Sequence, residues 1–236
     1  MNNILELPQL IAKFGYKIPE NQIILVSGGN APDAQWLKSI SEGKDVFCAD
    51  HGIDICKQAN IKPVQLIGDG DSASSEAWQW AVDNNVTITK VPTKKDVTDT
   101  QLALQIIDDK YPASTVILTG AWGGRFDHAF SSIFSFNGML KSNFYGCIAD
   151  DKEILFFLHN EEHLTLNLKQ HPKAISLLPL CGTSSGVSID GVYWPLDQVM
   201  LNNNLPYAVS NEIDSKENTI WISQKQGILG VYLYFE

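Results

Sequence analysis

The sequence predicts an α/β domain over residues 1–150, built on a Rossmann-like, doubly wound parallel sheet, followed by an all-β sandwich or barrel over residues 151–236. Three observations predict it. Apolar, β-branched runs alternate with helix-like segments through the first part, which is the signature of strands joined by crossover helices. Four of the five runs end in or against glycine or aspartate. Past Asp150 the helical segments stop, and short alternating runs follow one another between Asn, Gly, Pro and Asp turns.

The elements can be justified in order. Residues 4–14 read as a short amphipathic helix. Ile23–Gly29 (IILVSGG) is a buried strand by its unbroken apolar character, and a helix follows from Asp33 to about Ile40. Asp45–Ala49 is the second strand, ending at Asp50-His51-Gly52 before a helix carrying Ile53, Ile55, Cys56 and Ala59. Val64–Gly68 is the third, ending at Asp69-Gly70-Asp71-Ser72, with a helix over Ser74–Asp83. Val86–Val91 is the fourth, followed by a helix from about Thr98 to Asp109. The fifth begins at Thr115 and ends in Gly120-Ala121-Trp122-Gly123-Gly124, with a further helix opening after Arg125, Asp127 and His128. In the second part, EILFFLH, HLTLNLK, AISLLPL, GVSIDGVYW, LPYAVSNEI, NTIWISQ and GILGVYLYF are seven strand candidates.

Composition narrows the function. The chain has 236 residues, 44% of them hydrophobic, enough for a substantial core. A net charge of -10 excludes sequence-independent binding to nucleic acid, which needs a basic face. There is no run of some 18 apolar residues and no secretory leader pattern, so no membrane association and a cytoplasmic location are expected. The four cysteines include no C-x-x-C pair and read as free thiols.

In parallel sheets of this kind the ligand sits beyond the carboxyl ends of the strands, so Asp50, Asp69, Asp71, Asp96, Asp99, Arg125 and Asp127 should gather at one edge. Glycines let the main chain approach an anion, a helix N-terminus adds positive potential, and Arg125 offers a bidentate fork for phosphate. A negative protein that takes a polyphosphate needs a cation between the two. Asp69 and Asp71, two apart in an extended chain, would project to one side and share a hard cation such as magnesium; the alternative is an Asx-type turn with solvated carboxylates. Asp96 and Asp99 lie at a helix start, where either Asp96 or Thr98 can be the N-cap, capping being the favoured role for Asp96, and Asp99 inside the first turn is freer to reach outward. Lys95 fits a phosphate partner or an exposed lysine equally, and His128 reads as a capping group rather than a proton shuttle.

Several motifs are excluded. There is no G-x-x-x-x-G-K-[ST] loop and no G-x-S-x-G elbow. Gly68–Ala73 fits the dinucleotide pattern in form only, since it puts two carboxylates where pyrophosphate would lie.

Taken together, DHGID, GDGDS, KKDVTD and GAWGGRFDH resemble, in order and spacing, the catalytic domain of thiamine pyrophosphokinase, with its A-D-G-G, G-D-x-D-S, D-x-T-D and G-G-R-x-D-H signatures. SLLPL, the G-x-x-x-P-L of Gly191–Leu196 and Ser210-Asn211-Glu212 resemble that family's thiamine-binding domain. The resemblance implies transfer of a pyrophosphoryl group from ATP to thiamine in a homodimer, with active sites between the catalytic domain of one chain and the β domain of the other. By motif it implies Asp69, Asp71 and Asp99 as magnesium ligands, with Asp71, Asp99 and Arg125 as the catalytic groups. Asp50, Lys95, Asp96, Gly123, Gly124, Arg125, Asp127 and His128 would line the ATP phosphates, and Ser210 and Asn211 would contact thiamine. Trp194, Tyr207 and Trp221 are all candidates to stack on it. The sequence departs from the pattern at His51, Asp54, Gly70 and Ser132. The other readings are a non-catalytic thiamine or thiamine-phosphate binder, a diphosphokinase acting on a related alcohol such as a pterin, and a phosphatase using Asp69 as nucleophile.

Overall fold

A computed structural model describes residues 2–93, 95–140, 145–205, 207–214 and 216–236, which leaves Lys94 and Pro206 of the motifs above outside the described residues. It divides into two compact units, one of residues 19–150 and one of residues 1–18 with 151–236. The N-terminal segment corrects two expectations, the helix over residues 4–14 and its place in the first domain. It forms two strands, β1 (Asn2–Glu6) and β2 (Leu10–Ile18), within the second unit. Leu10, Ala12 and Phe14 are buried while Lys13 and Gly15 are exposed, a period of two that a strand satisfies and a helix does not.

The α/β unit runs β3 (Gln22–Val26), α1 (Ala34–Ser41), β4 (Asp45–Ala49), α2 (Gly52–Gln58), β5 (Gln65–Gly68), α3 (Ser75–Asp83), β6 (Thr87–Lys90), α4 (Asp99–Lys110), β7 (Thr115–Thr119), α5 (Phe126–Met139) and β8 (Tyr145–Ala149). Its strands pair in parallel in the order β8-β7-β3-β4-β5-β6. Strands β3, β4, β5 and β7 are buried almost throughout, which is why they read as continuous apolar runs. At roughly 2 kcal/mol for each large side chain removed from water, residues such as Leu25, Phe47, Leu66 and Ile117 hold the sheet. Helix starts are set by side-chain caps: Asp33 accepts from Gln35 and Trp36 N–H, Ser74 from Ala77 N–H, and Thr98 from Gln101 N–H. Thr98, not Asp96, is therefore the cap of α4.

The chain fills one side of β3 with β4, β5 and β6 and then crosses to β7 and β8 on the other. The carboxyl ends of β3 and β7 are thus neighbours. Main-chain bonds stitch them together beyond the strands, Ser27 N–H to Thr119 O at 2.8 Å and Gly29 N–H to Gly120 O at 2.6 Å. A Cβ on Gly29 would stand 2.5 Å from the Trp122 carbonyl oxygen, so only glycine permits that approach.

The β unit adds β9 (Glu153–His159), β10 (His163–Leu168), β11 (Ala174–Pro179), β12 (Thr183–Asp190), β13 (Leu196–Asn202), β14 (Thr219–Ser223) and β15 (Ile228–Tyr234). One antiparallel sheet has the order β1-β2-β10-β14-β12-β13, and β11-β15-β9 pair antiparallel in a second. Phe14 of β2 meets Phe156 of β9 edge to face at 6.0 Å, joining the two sheets through their core sides. Two of the seven expected strands differ. The described residues of the segment 205–213 make only isolated bridges, through Leu205, Asn211 and Ile213, and the strand in 186–194 stops at Asp190. No helix among the described residues is long and apolar enough to cross a membrane.

Candidate active site

The loops that leave β3, β4, β5, β6 and β7 line one cavity of about 660 Å³ in the α/β unit. It receives Asp50, Asp69, Asp71, Lys95, Asp99, Gly123, Gly124, Arg125 and His128 of the expected residues; Asp96 and Asp127 are not on its wall.

Its chemical centre is a triad of carboxylates. One oxygen from each of Asp50, Asp69 and Asp99 lies within 4.8 Å of the other two. Asp50 leaves β4 buried and with a left-handed backbone, φ 39°. Its Oδ1 accepts the Gly70 N–H at 3.0 Å, and its Oδ2 accepts the Ser72 N–H at 3.1 Å and the Ser72 hydroxyl. Gly68 makes room for it, since a Cβ there would meet Asp50 Oδ1 at 2.8 Å. Asp69 follows β5, and Asp99 opens α4 just past its Thr98 cap.

Asp71 lies beside this group rather than among its three oxygens. Gly70 adopts φ 82°, and the Asp71 N–H turns back to donate to Asp69 Oδ1 at 3.0 Å. The chain after β5 is thus an Asx-type turn and not an extended segment, and the Asp71 carboxylate remains close enough to that of Asp69 for the two to interact. Asp71 stays exposed on the cavity wall, and Asp50, from the neighbouring strand, supplies the third oxygen.

Lys95 is the cation of the triad. Its Nζ donates to Asp69 Oδ2 at 3.2 Å and to the Pro92 carbonyl at 3.3 Å, and stands 3.1 Å from Asp99 Oδ1. That last contact is an ion pair outside hydrogen-bond geometry, and Asp99 Oδ1 is buried without a hydrogen bond of its own. Burial works to raise the Asp69 carboxyl, but the Asp71 N–H and the Lys95 ammonium outweigh it and hold it below the ordinary range. Burial raises the Asp99 carboxyl, with the Asp50 and Asp69 charges adding to the rise against Lys95. Asp71 is likewise raised, by burial first and then by the charges of Asp69 and Asp50. At an effective dielectric of about 20, each pair of carboxylates at this separation repels by roughly 3 kcal/mol. One ammonium offsets only part of that. The donor set is all oxygen, without thiolate or imidazole, and so fits a hard divalent cation such as magnesium.

Arg125 stands at the opening of α5 with its side chain 73% exposed. Asp127 holds its guanidinium through Nε at 3.1 Å and through a second guanidinium nitrogen at 2.5 Å, which orients the fork and explains where Asp127 went. Gly123 and Gly124 adopt φ 73° and 63° just before it, presenting bare backbone to the cavity.

Two departures from the family pattern meet. His51 Nδ1 lies 3.3 Å from Asp54 Oδ2 and 3.2 Å from the Ser72 carbonyl, and Asp54 Oδ2 also accepts the Ser74 N–H at 3.0 Å. The pair fastens the loop after β4 to the loop after β5. Sequence reasoning passed over Ser27, Gly28 and Gly29, which line the cavity at the crossover, with Ser27 Oγ 2.7 Å from Thr100 Oγ1 of α4. The paired glycines directly after a strand were the available signal.

In the β unit, the Ser210 N–H donates to Ser176 Oγ at 3.0 Å. Asn211 clamps the main chain of Trp194, accepting its N–H at 3.1 Å and donating to its carbonyl at 2.7 Å. The amide is thus committed to presenting Trp194, whose ring is 54% exposed beside Tyr193.

The thiamin pyrophosphokinase catalytic domain model matches residues 37–147, and the vitamin B1 binding domain model of the same family matches residues 162–229. The thiamine pyrophosphokinase of Bacillus subtilis (strain 168) is 24% identical over 180 residues, 76% of this chain and 82% of that protein. The crystal structure of the Bacillus subtilis enzyme superposes with a TM-score of 0.80 at 22% identity, over 91% of this chain and 99% of that one. The thiamin pyrophosphokinase of Candida albicans gives 0.75 at 16% identity, over 92% and 89%.

Proposed function

The chain belongs to the thiamine pyrophosphokinase family, whose two domain models together match more than half of it, and on that premise we propose that it transfers a pyrophosphoryl group from ATP to the hydroxyl of thiamine, releasing AMP. The observation that carries the proposal is the convergence of Asp50, Asp69 and Asp99 from three loops on one cavity that also holds Lys95 and Arg125.

On this reading the α/β unit is a Rossmann-like, doubly wound platform for ATP, and Asp50, Asp69 and Asp99 hold Mg2+. Bound there, the ion would neutralise charge on the triphosphate. The remaining work falls to the chain itself. Arg125, oriented by Asp127, grips phosphate oxygens bidentately, and the N–H groups around Gly123 and Gly124 and the start of α5 at His128 favour the same anion. The hydroxyl oxygen of thiamine attacks the β-phosphorus, and the bond from that phosphorus to the oxygen bridging to the α-phosphorus breaks. Asp71 takes the hydroxyl proton: it stands on the cavity wall beside Asp69, and its carboxyl is raised by burial and then by the charges of Asp69 and Asp50. Catalysis of this kind rests on positioning and charge, which is what the cavity offers.

Thiamine would be received by the β unit, with Ser210 at the site and Asn211 acting through Trp194. A homodimer with active sites shared between chains, and a cytoplasmic location where ATP is available, complete the proposal. Incubating the purified chain with ATP and Mg2+, with and without thiamine, tests it. AMP and thiamine diphosphate should appear in equal amounts and only with thiamine. Thiamine binding without AMP would make the protein a binder and overturn the enzyme.

A further inference from the structure

We propose that Lys95 is the resident counter-ion of the acidic triad: its ammonium occupies the place a divalent cation takes, and it is exchanged outward, toward the phosphates, when the site is loaded. The proposal rests on the assignment of Asp50, Asp69 and Asp99 to Mg2+ and adds to it a role for a residue that sequence motif alone places among phosphate contacts.

The geometry points this way in three respects. First, Nζ does not reach into open cavity; it lies between two of the three carboxylates, 3.2 Å from Asp69 Oδ2 and 3.1 Å from Asp99 Oδ1. Second, the position is enclosed, with the Lys95 side chain 15% exposed and that of Asp69 5% exposed, so water screens the charges weakly. A triad held this close needs a positive charge at all times, and Lys95 supplies it from within the chain. Third, among the described residues no group other than Lys95 reaches Asp99 Oδ1, so that this oxygen depends on the ammonium alone.

An ammonium and a divalent ion repel each other, and both cannot stand between the Asp69 and Asp99 carboxylates. Lys95 therefore sets the affinity of the triad for metal, keeping it stable but weak when nucleotide is absent. Once displaced, Nζ sits beside the site with three donors free, so that phosphate arrival and metal loading reinforce each other. Lys95 is on this account a positioning residue for metal and phosphate.

The test is binding of Mn2+ alone, without nucleotide or thiamine, to the full chain by calorimetry, with thermal unfolding in EDTA as a second readout. Lys95→Met should bind Mn2+ about ten-fold more tightly than the unaltered chain and unfold at a lower temperature in EDTA. Lys90→Met removes the same charge from an exposed residue at the end of β6, and should leave Mn2+ affinity within about two-fold. Should the methionine variant not fold, Lys95→Gln carries the same comparison. Equal Mn2+ affinity in the Lys95 variant and the unaltered chain overturns the role of Lys95 while the metal site stands. A gain shared equally by Lys90→Met also overturns it, because the effect would then be general charge. If no protein binds Mn2+, the metal assignment falls and this inference with it.

Discussion

Asp50 reaches from the end of β4 to the loop after β5, where its Oδ2 accepts the Ser72 N–H at 3.1 Å while its Oδ1 accepts the Gly70 N–H at 3.0 Å. The same carboxylate contributes an oxygen to the acidic triad. It is both part of the metal site and the splint that shapes it. Asp50→Ala should thus cost about 2 kcal/mol of stability, since it leaves main-chain donors unpaired, and should abolish Mn2+ binding. Urea unfolding and calorimetry check both, and undiminished stability would show that the loop holds itself.

Asp69 belongs to the acidic triad, and Asp71 stands beside it on the cavity wall. Asp71→Asn should bind Mn2+ as the unaltered chain does and fold normally, yet lose at least about 10²-fold in turnover through loss of the base. Asp69→Asn should lose both. Comparing Mn2+ affinity with turnover in the two variants decides the matter; weakened metal binding by Asp71→Asn would return that residue to the metal set.

Arg125 and Asp127 form an exposed pair, with side chains 73% and 61% exposed. Such a pair adds little to stability, and Arg125→Ala should change unfolding by less than about 0.5 kcal/mol. A guanidinium that meets developing phosphate charge is worth far more, and turnover should fall about 10³-fold. A variant with normal turnover would leave Arg125 a surface residue.

Glu162, at the turn between β9 and β10, offers a pH test unconnected with catalysis. Burial pushes its carboxyl up to about 7, against the pull of the His159 N–H that it accepts at 2.7 Å; the His159 ring lies 3.8 Å away. The folded chain therefore keeps this proton over a range where the unfolded chain, with a value near 4.5, has released it. The stabilisation is complete below about pH 4.5 and is lost as pH rises through about 7. Glu162→Gln should remove that slope, leaving the variant on the order of 1–2 kcal/mol more stable than the unaltered chain at pH 8, after allowing for partial exposure. Urea unfolding at pH 5 and pH 8 measures it.

What the sequence revealed follows from which physical signals are local. Strands β3, β4, β5 and β7 were legible because a buried parallel strand must be apolar on both faces. Strands β1 and β2 were not, because Leu10 and Phe14, four apart, lie on one side of a helix and of a strand alike, and only pairing with β10 decides between them. Strand β13 escaped because Asp197, Gln198 and other partly exposed residues leave it without a buried face. The site was legible as a set, since acid-bearing and glycine-bearing loops at strand ends share an edge by topology. Its internal partition was not. That Asp50 reaches the same point as Asp69 and Asp99 depends on the left-handed backbone of Gly70 and Asp50, which no spacing rule encodes.

The most direct measurement of the central claim is anomalous scattering from a crystal of the chain grown with Mn2+ and a non-hydrolysable ATP analogue. The account predicts one strong peak at about 2.0–2.4 Å from oxygens of Asp50, Asp69 and Asp99, against the analogue's phosphates, with Lys95 withdrawn from Asp99. A nucleotide bound with no metal at these three carboxylates, or a metal held elsewhere, would contradict it.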